Sequence, residues 1–159
     1  MICSGNIMRS PTAEMLLEKL LDELAGMGWR NQLEVLSGGV KYRNKSLHPI
    51  TEELLRKKGI SEKRIAKFRP RHVLDHPELL GRAGLVVAMT SDHKRTLETL
   101  DPALAEKTVK FSELSPEKQE VPDPFFQDDV REAMEHAWDI LEVGLRSLAQ
   151  ELVRLEVIK

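Results

Sequence analysis

The sequence predicts an α/β fold in which a parallel four-stranded sheet is flanked by helices. Short apolar runs bounded by glycine and polar residues alternate with longer stretches in which apolar residues recur every three or four positions. The first pattern is typical of buried parallel strands and the second of amphipathic helices. Because strands that alternate with helices pack as a parallel sheet, we expect a single α/β domain over residues 1–159.

Each element has a local signal of its own. The first and last predicted helices each have one apolar face. The second and third predicted helices are delimited by glycine or proline. The predicted helices are 10–27, 50–58, 91–100 and 127–155. Apolar runs between turn residues predict strands. Their ranges are 33–37, 85–89 and 108–111. Three prolines within 115–124 predict a loop.

The composition excludes several classes of function. The 24 Lys and Arg residues nearly balance the 26 Asp and Glu residues, and a net charge of −2 argues against nucleic acid or an acidic membrane surface as the main partner. No apolar run approaches the roughly 18 residues of a membrane span, and no signal-peptide pattern opens the sequence. The single cysteine, Cys3, cannot form an internal disulfide, which predicts a reducing, cytoplasmic location.

Histidine and tryptophan, two other residue types with possible functions, give no signal of a functional site. The five histidines lack the spacing of metal ligands, so neither a metal nor another cofactor is expected. Trp29 and Trp138 are expected to pack rather than to take part in chemistry.

Residues 3–11, Cys-Ser-Gly-Asn-Ile-Met-Arg-Ser-Pro, predict a loop that binds an anion. Pro11 suits the first position of a helix and Ser10 suits the N-cap, so the loop is expected to end at a helix N-terminus, which attracts anions. Gly5 and Asn6 tolerate the left-handed backbone that turns successive N–H groups inward. We call residues 3–9 the phosphate loop. Its expected phosphate-binding residues are Ser4, Gly5, Asn6, Ile7, Met8 and Arg9.

Cys3 and Arg9 would supply the reactive groups of the phosphate loop. The guanidinium of Arg9 has the planar fork that matches two phosphate oxygens. A thiol beside an arginine at a helix N-terminus is favoured as the thiolate, which is a nucleophile. The alternative is structural, with Cys3 buried and Arg9 on the surface. The Gly-Asn inside the loop and the Ser-Pro after it favour the functional interpretation.

These residues resemble the low-molecular-weight protein tyrosine phosphatases, whose loop reads Val-Cys-x-Gly-Asn-Ile-Cys-Arg-Ser-Pro. The resemblance covers almost the whole chain. Ser37-Gly38-Gly39 stands where the family has Ser-Ala-Gly, Met89-Thr90 ends the third strand, and Asp123-Pro124-Phe125-Phe126 matches the family's Asp-Pro-aromatic motif. A long C-terminal helix follows in both.

The resemblance implies a metal-free phosphatase that acts on phosphotyrosine-containing proteins through a phosphocysteine. Cys3 would be the nucleophile, Arg9 would bind the phosphate with the loop amides, and Asp123 would be the general acid and then the general base. The other implied roles are support of the loop and thiolate by Ser10, Asn6 and Ser37, and a substrate pocket walled by Tyr42, Phe125 and Phe126.

Departures from the family pattern, and one position that separates its branches, keep alternatives open. Met8 stands where many members have a second cysteine, and Phe125 and Phe126 stand where tyrosines are frequent. The protein arginine phosphatase branch has Thr where this chain has Ile7, so Ile7 favours phosphotyrosine, but an arginine phosphatase remains the main rival. A catalytically inactive phosphate-binding module is the rival from another class.

The first strand is unusually short in this prediction. Only Met1 and Ile2 precede Cys3, whereas the family has about five or six apolar residues there. We expect an upstream segment to complete the strand. The alternatives are a trimmed chain and a sheet that forms with a very short first strand.

Overall fold

The computed structural model describes residues 1–28, 33–155 and 157 of the chain. Within these residues it confirms the predicted fold class. Four parallel strands form one sheet in the order β2-β1-β3-β4, and helices flank it. The strands are β1 (Ile2–Cys3), β2 (Gly38–Gly39), β3 (Val86–Ala88) and β4 (Thr108–Lys110).

The described part of the chain also contains seven α-helices and one 3-10 helix. Their bounds are α1 (Arg9–Gly26), α2 (Pro49–Lys57), α3 (Glu62–Lys67), α4 (Glu78–Gly81), α5 (Ser91–Leu100), the 3-10 helix (Pro102–Lys107), α6 (Phe111–Leu114) and α7 (Val130–Arg154). The four predicted helices are confirmed as α1, α2, α5 and α7, with the predicted bounds for α5 and shifted ends for the other three. The remaining helices were missed because each is too short to show an apolar period.

Strand β1 lies inside the sheet although it has only two residues. Ile2 is paired with Gly38 of β2 and Ala88 of β3, and Cys3 is paired with Gly39. The phosphate loop follows β1 directly and leads into α1. The loop therefore lies at the carboxyl edge of the sheet, where parallel α/β folds bind their ligands.

Alternate residues of β3 face two different apolar cores. Val87, and Met89 directly after the strand, pack in the cluster that includes α1 and α7, whereas Val86 and Ala88 pack with Leu97 of α5. The two sets point to opposite faces because successive side chains of a strand alternate. This strand is buried on both sides, as its continuous apolar sequence predicts.

The predicted strand at 33–37 is wrong. Those residues are not in a strand, and β2 is instead the glycine pair Gly38–Gly39. The register sets Gly38 opposite Ile2, so the ladder with β1 covers only these two pairs. Glycine is required because a Cβ on Gly39 would lie 2.9 Å from the Ser4 carbonyl oxygen.

The predicted start of the first helix is also corrected. Helix α1 begins at Arg9, so Ser10 and Pro11 are its second and third residues, and no side chain caps it. Ser10 does not cap the helix because its hydroxyl is bonded to Cys3 and Asn6. Pro11 is still tolerated, since the first four N–H groups of a helix have no partner within it.

Trp138 is 2% exposed and belongs to the larger core, which confirms its predicted packing role. Trp29 lies outside the described residues. Among the described helices, none combines the length and the apolar character that a membrane span requires.

Gly144 of α7 sits directly against the buried ring of Phe111. A Cβ on Gly144 would lie 2.5 Å from Cε1 of that ring and still closer to Cζ, whereas a Cβ on Gly26 of α1 would meet nothing within 4 Å. We expect Gly144→Ala to lower the free energy of unfolding by about 1–3 kcal/mol through overpacking. Gly26→Ala is the matched control and should leave it unchanged or raise it by up to about 1 kcal/mol. Urea unfolding of both variants tests this, and equal midpoints would contradict the packing argument.

Candidate active site

A cavity of about 310 Å³ lies over the phosphate loop at the carboxyl edge of the sheet. The structure brings together there most of the residues that the sequence singles out. Its lining consists of Cys3, Ser4, Gly5, Ile7, Met8, Arg9, Tyr42, Arg43, Asn44, Asp123, Phe125 and Phe126. The side chains of Asn6, Ser10 and Ser37 are buried and do not line the cavity, so these side chains can act on it only through other residues.

The sulfur of Cys3 is surrounded by groups that can donate hydrogen bonds. The backbone N–H of Asn6 donates to Sγ at 3.3 Å, and Oγ of Ser10 lies 2.9 Å from Sγ. Ser10 Oγ already accepts from Nδ2 of Asn6 at 2.9 Å, so its own proton is available to the sulfur. Both contacts bring a polar hydrogen-bonding group against the sulfur.

Residues 41–48, which we call the brace segment, donate hydrogen bonds to three backbone carbonyls of the phosphate loop. The Ser4 carbonyl accepts from the N–H groups of residues 41 and 42 at 2.9 and 3.1 Å, the Gly5 carbonyl accepts from Nδ2 of Asn44 at 2.9 Å, and the Ile7 carbonyl accepts from the N–H of residue 48 at 3.2 Å. In a trans peptide the next N–H points the opposite way. The amides of residues 5, 6 and 8 therefore face away from the brace segment, as the bond from Asn6 to the Cys3 sulfur shows.

Asn6 ties the phosphate loop to its supports. Its φ of 56° lies in the left-handed region that the sequence analysis allows for Gly5 and Asn6, whereas φ of Gly5 is not positive. Nδ2 of Asn6 donates to Ser10 and, at 2.8 Å, to Oγ of Ser37. Its Oδ1 accepts from the backbone N–H of Arg71 at 2.9 Å. The buried amide is thus satisfied on both ends.

A buried carboxylate that the sequence analysis missed lies beneath this network. Oε2 of Glu14 accepts a short hydrogen bond from Ser37 and lies 3.5 Å from Nη1 of Arg71, and its Oε1 lies 2.5 Å from Nη2 of Arg64. The Glu14 side chain is 1% exposed, so these arginines provide the compensation that a buried charge requires. No local pattern marks Glu14, because its partners are distant in sequence.

Arg9 and Asp123 meet at the edge of the cavity. Nη2 of Arg9 lies 3.1 Å from Oδ2 of Asp123, and Nη1 donates to the carbonyl of Val121 at 3.0 Å. The Arg9 side chain is buried, whereas 34% of the Asp123 side chain is exposed. The guanidinium is therefore held in place by the segment that carries Asp123, and the carboxylate keeps access to solvent.

Aromatic side chains form the outer wall of the cavity. Phe125 packs edge-to-face on Phe126, with ring centroids 5.0 Å apart, and on His48 at 6.0 Å. Phe126 and Tyr42 are exposed, at 71% and 54%. Two cations beside this wall are paired: Arg43 binds Asp75 with two hydrogen bonds, and Lys41 binds Asp92.

His93, another residue that the sequence analysis missed, is buried behind the phosphate loop. Its Nε2 is hydrogen-bonded to Oγ of Ser4 at 2.8 Å, and its Nδ1 lies 3.1 Å from Oγ1 of Thr90, the N-cap of α5. Burial, with Arg9 and Lys41 nearby, lowers the pKa of His93 to about 3, so its ring is neutral at physiological pH. The described residues contain no group of three or more His, Cys, Asp or Glu that could hold a metal ion.

Comparison with known proteins places this chain among the protein phosphatases, a class of hydrolases. More narrowly, the chain belongs to the low molecular weight phosphotyrosine protein phosphatase family, whose model matches residues 1–157. This confirms the family resemblance in the sequence.

Individual relatives match over nearly their whole lengths. A protein of Synechocystis sp., provisionally named a low molecular weight protein-tyrosine-phosphatase, is 30% identical over 96% of both chains. The low molecular weight protein-tyrosine-phosphatase Etp of Escherichia coli K12 is 27% identical over 96% of this chain and 93% of its own. The structure of the YwlE arginine phosphatase from Geobacillus stearothermophilus is 28% identical with a TM-score of 0.80, covering 98% of this chain and 92% of that one.

Proposed function

We propose that this protein is a cysteine-dependent phosphatase that hydrolyses phosphotyrosine in proteins, and aryl phosphates in general, through a phosphocysteine intermediate. The observation that carries the proposal is the meeting of three groups in one cavity: the Cys3 sulfur, the Arg9 guanidinium and the Asp123 carboxyl. Nucleophile, anion clamp and proton donor are the groups that such a hydrolysis requires.

In the first step, the Cys3 thiolate attacks phosphorus and the bond to the leaving oxygen breaks. The amides of residues 5, 6 and 8, with Arg9, stabilise the charge on the phosphoryl oxygens. Asp123 transfers its proton to the leaving phenolate. The 3.1 Å contact between Asp123 and Arg9 supports this role, because it places the carboxyl beside the group that binds the phosphate.

In the second step, water attacks the phosphocysteine and the S–P bond breaks. Asp123, now ionised, accepts the proton from this water. Cys3 leaves as a thiolate, which the Ser10 hydroxyl and the Asn6 N–H stabilise from 2.9 and 3.3 Å. No step requires a metal, since fixed donors perform the work that a cation does in other phosphoryl transfers.

The walls of the cavity support an aryl rather than a guanidinium leaving group. Phe125, Phe126 and Tyr42 present rings against which a phenyl group can pack, and Ile7 adds an apolar side chain. The nearby cation Arg43 is already paired with Asp75, so the edge of the cavity offers little attraction for an acidic peptide.

The second candidate is an arginine phosphatase, which the likeness to the YwlE structure favours.

Competing substrates test the proposal. Phosphotyrosine and phosphoarginine peptides of one sequence should differ in kcat/KM by at least about tenfold in favour of phosphotyrosine, with EDTA present. Ile7→Thr should narrow that ratio, and Ile7→Val is the matched control, because it keeps the branched shape without a hydroxyl. Preference for phosphoarginine in the wild type would establish the rival activity. Binding of orthovanadate without turnover of either peptide would favour the phosphate-binding module.

We further propose a cytoplasmic location and protein partners that carry phosphotyrosine. The single cysteine supports this location, because a nucleophilic thiol requires a reducing compartment to remain active.

A further inference from the structure

The mechanism above leaves His93 without a role, although its side chain is almost fully buried. It lies in the first turn of α5, 89 residues from its partner Ser4. Both ring nitrogens are engaged, Nε2 with the Ser4 hydroxyl and Nδ1 with Thr90. The Thr90 Oγ1 also accepts the backbone N–H of His93 at 3.3 Å, so the ring orientation is set by the cap of the helix.

Ser4 is held from two sides. The His93 ring binds its hydroxyl, and the N–H groups of Lys41 and Tyr42 bind its carbonyl. The same peptide unit carries the N–H of Gly5 on its opposite side. A rotation of this peptide unit would also move the Ser4 side chain. Because that side chain has only a few staggered rotamers, its hydroxyl could not follow the rotation and keep its hydrogen bond to His93.

We propose that His93 is a positioning residue for the phosphate loop, which holds the Ser4 hydroxyl so that the N–H of Gly5 stays turned toward a bound oxyanion. This inference rests on the proposed function, because it treats the loop as the anion site. His93 does not touch the reacting atoms. Its ring is fixed by Thr90 at the N-terminus of α5, and it fixes in turn the Ser4 side chain at the start of the loop.

Two substitutions of His93 separate this role from simple packing. In His93→Gln, the side-chain amide lies where Nε2 was and can form a hydrogen bond with Ser4. In His93→Asn, the shorter side chain places its amide only where Nδ1 was, so it can form a hydrogen bond with Thr90 but not with Ser4. Ser4→Ala removes the same bond from the other end. Thr99→Ala is the matched control for loss of a hydroxyl, because Thr99 bonds within α5 at Arg95.

Each variant is assayed with para-nitrophenyl phosphate and inhibited with orthovanadate, and its thermal midpoint is recorded. We expect His93→Asn and Ser4→Ala to weaken vanadate inhibition about tenfold and to raise KM more than they lower kcat. His93→Gln should recover most of the vanadate affinity. The double variant of His93→Asn and Ser4→Ala should match either single one, since both remove one interaction.

The outcomes separate this inference from the proposed function. A wild type that does not turn over refutes the proposed function, and vanadate affinity still reports on the loop. If the wild type is active and His93→Asn binds vanadate as tightly, His93 has no positioning role. If His93→Gln and His93→Asn lose affinity equally, in step with their thermal midpoints, the residue only packs.

Discussion

Cys3→Ser is expected to lower kcat for para-nitrophenyl phosphate by at least about a thousandfold and to leave orthovanadate binding nearly intact. The hydroxyl that replaces the thiol is a far weaker nucleophile at neutral pH. The anion site persists because Arg9 and the amides that face the cavity do not depend on the sulfur. Steady-state rates and vanadate binding by calorimetry measure the two properties separately.

The control for this experiment is the fold of the variant. Serine has nearly the volume of cysteine, and it keeps a partner for Ser10 and for the Asn6 N–H. Its thermal midpoint should therefore lie close to that of the wild type. A folded variant that keeps a tenth or more of the wild-type rate would remove Cys3 from the mechanism.

Asp123→Asn is expected to slow hydrolysis by about a hundredfold for substrates with poor leaving groups and far less for para-nitrophenyl phosphate. A phenolate of high basicity needs the proton that Asp123 is proposed to donate, whereas para-nitrophenolate leaves without one. The variant should also bind vanadate more tightly, because it removes a carboxylate that lies 3.1 Å from the guanidinium that binds the anion. A series of aryl phosphates, followed by pre-steady-state release of the phenol, measures the dependence.

Asp128→Asn provides the matched control for Asp123→Asn. Asp128 is an exposed carboxylate of the same segment that does not line the cavity, so its loss changes the net charge equally. Its rates should follow the wild type across the whole series. A dependence on the leaving group that is identical in Asp123→Asn and the wild type would argue against Asp123 as the general acid.

Local patterns were sufficient for much of the fold. The stripes of α1 and α7 are periodic over many residues, and the apolar run around β3 is continuous between turn residues, so the type of each element is readable without knowledge of its partners. The phosphate loop is equally local, because the thiol, the guanidinium and the helix start lie within a few residues of one another. Asp123 required the family resemblance, since an Asp-Pro pair alone is a frequent turn.

The sequence by itself predicted the class of fold and the family, which are confirmed, and a phosphate loop with Cys3 and Arg9, which stays a prediction. Only the tertiary structure decided that β2 is the pair Gly38–Gly39, that Glu14 lies beneath the loop, and that His93 holds Ser4. Each of these depends on close approach between segments far apart in the chain. Such contacts leave no periodic signal in the residues that make them, because register and burial are set when the segments pack together.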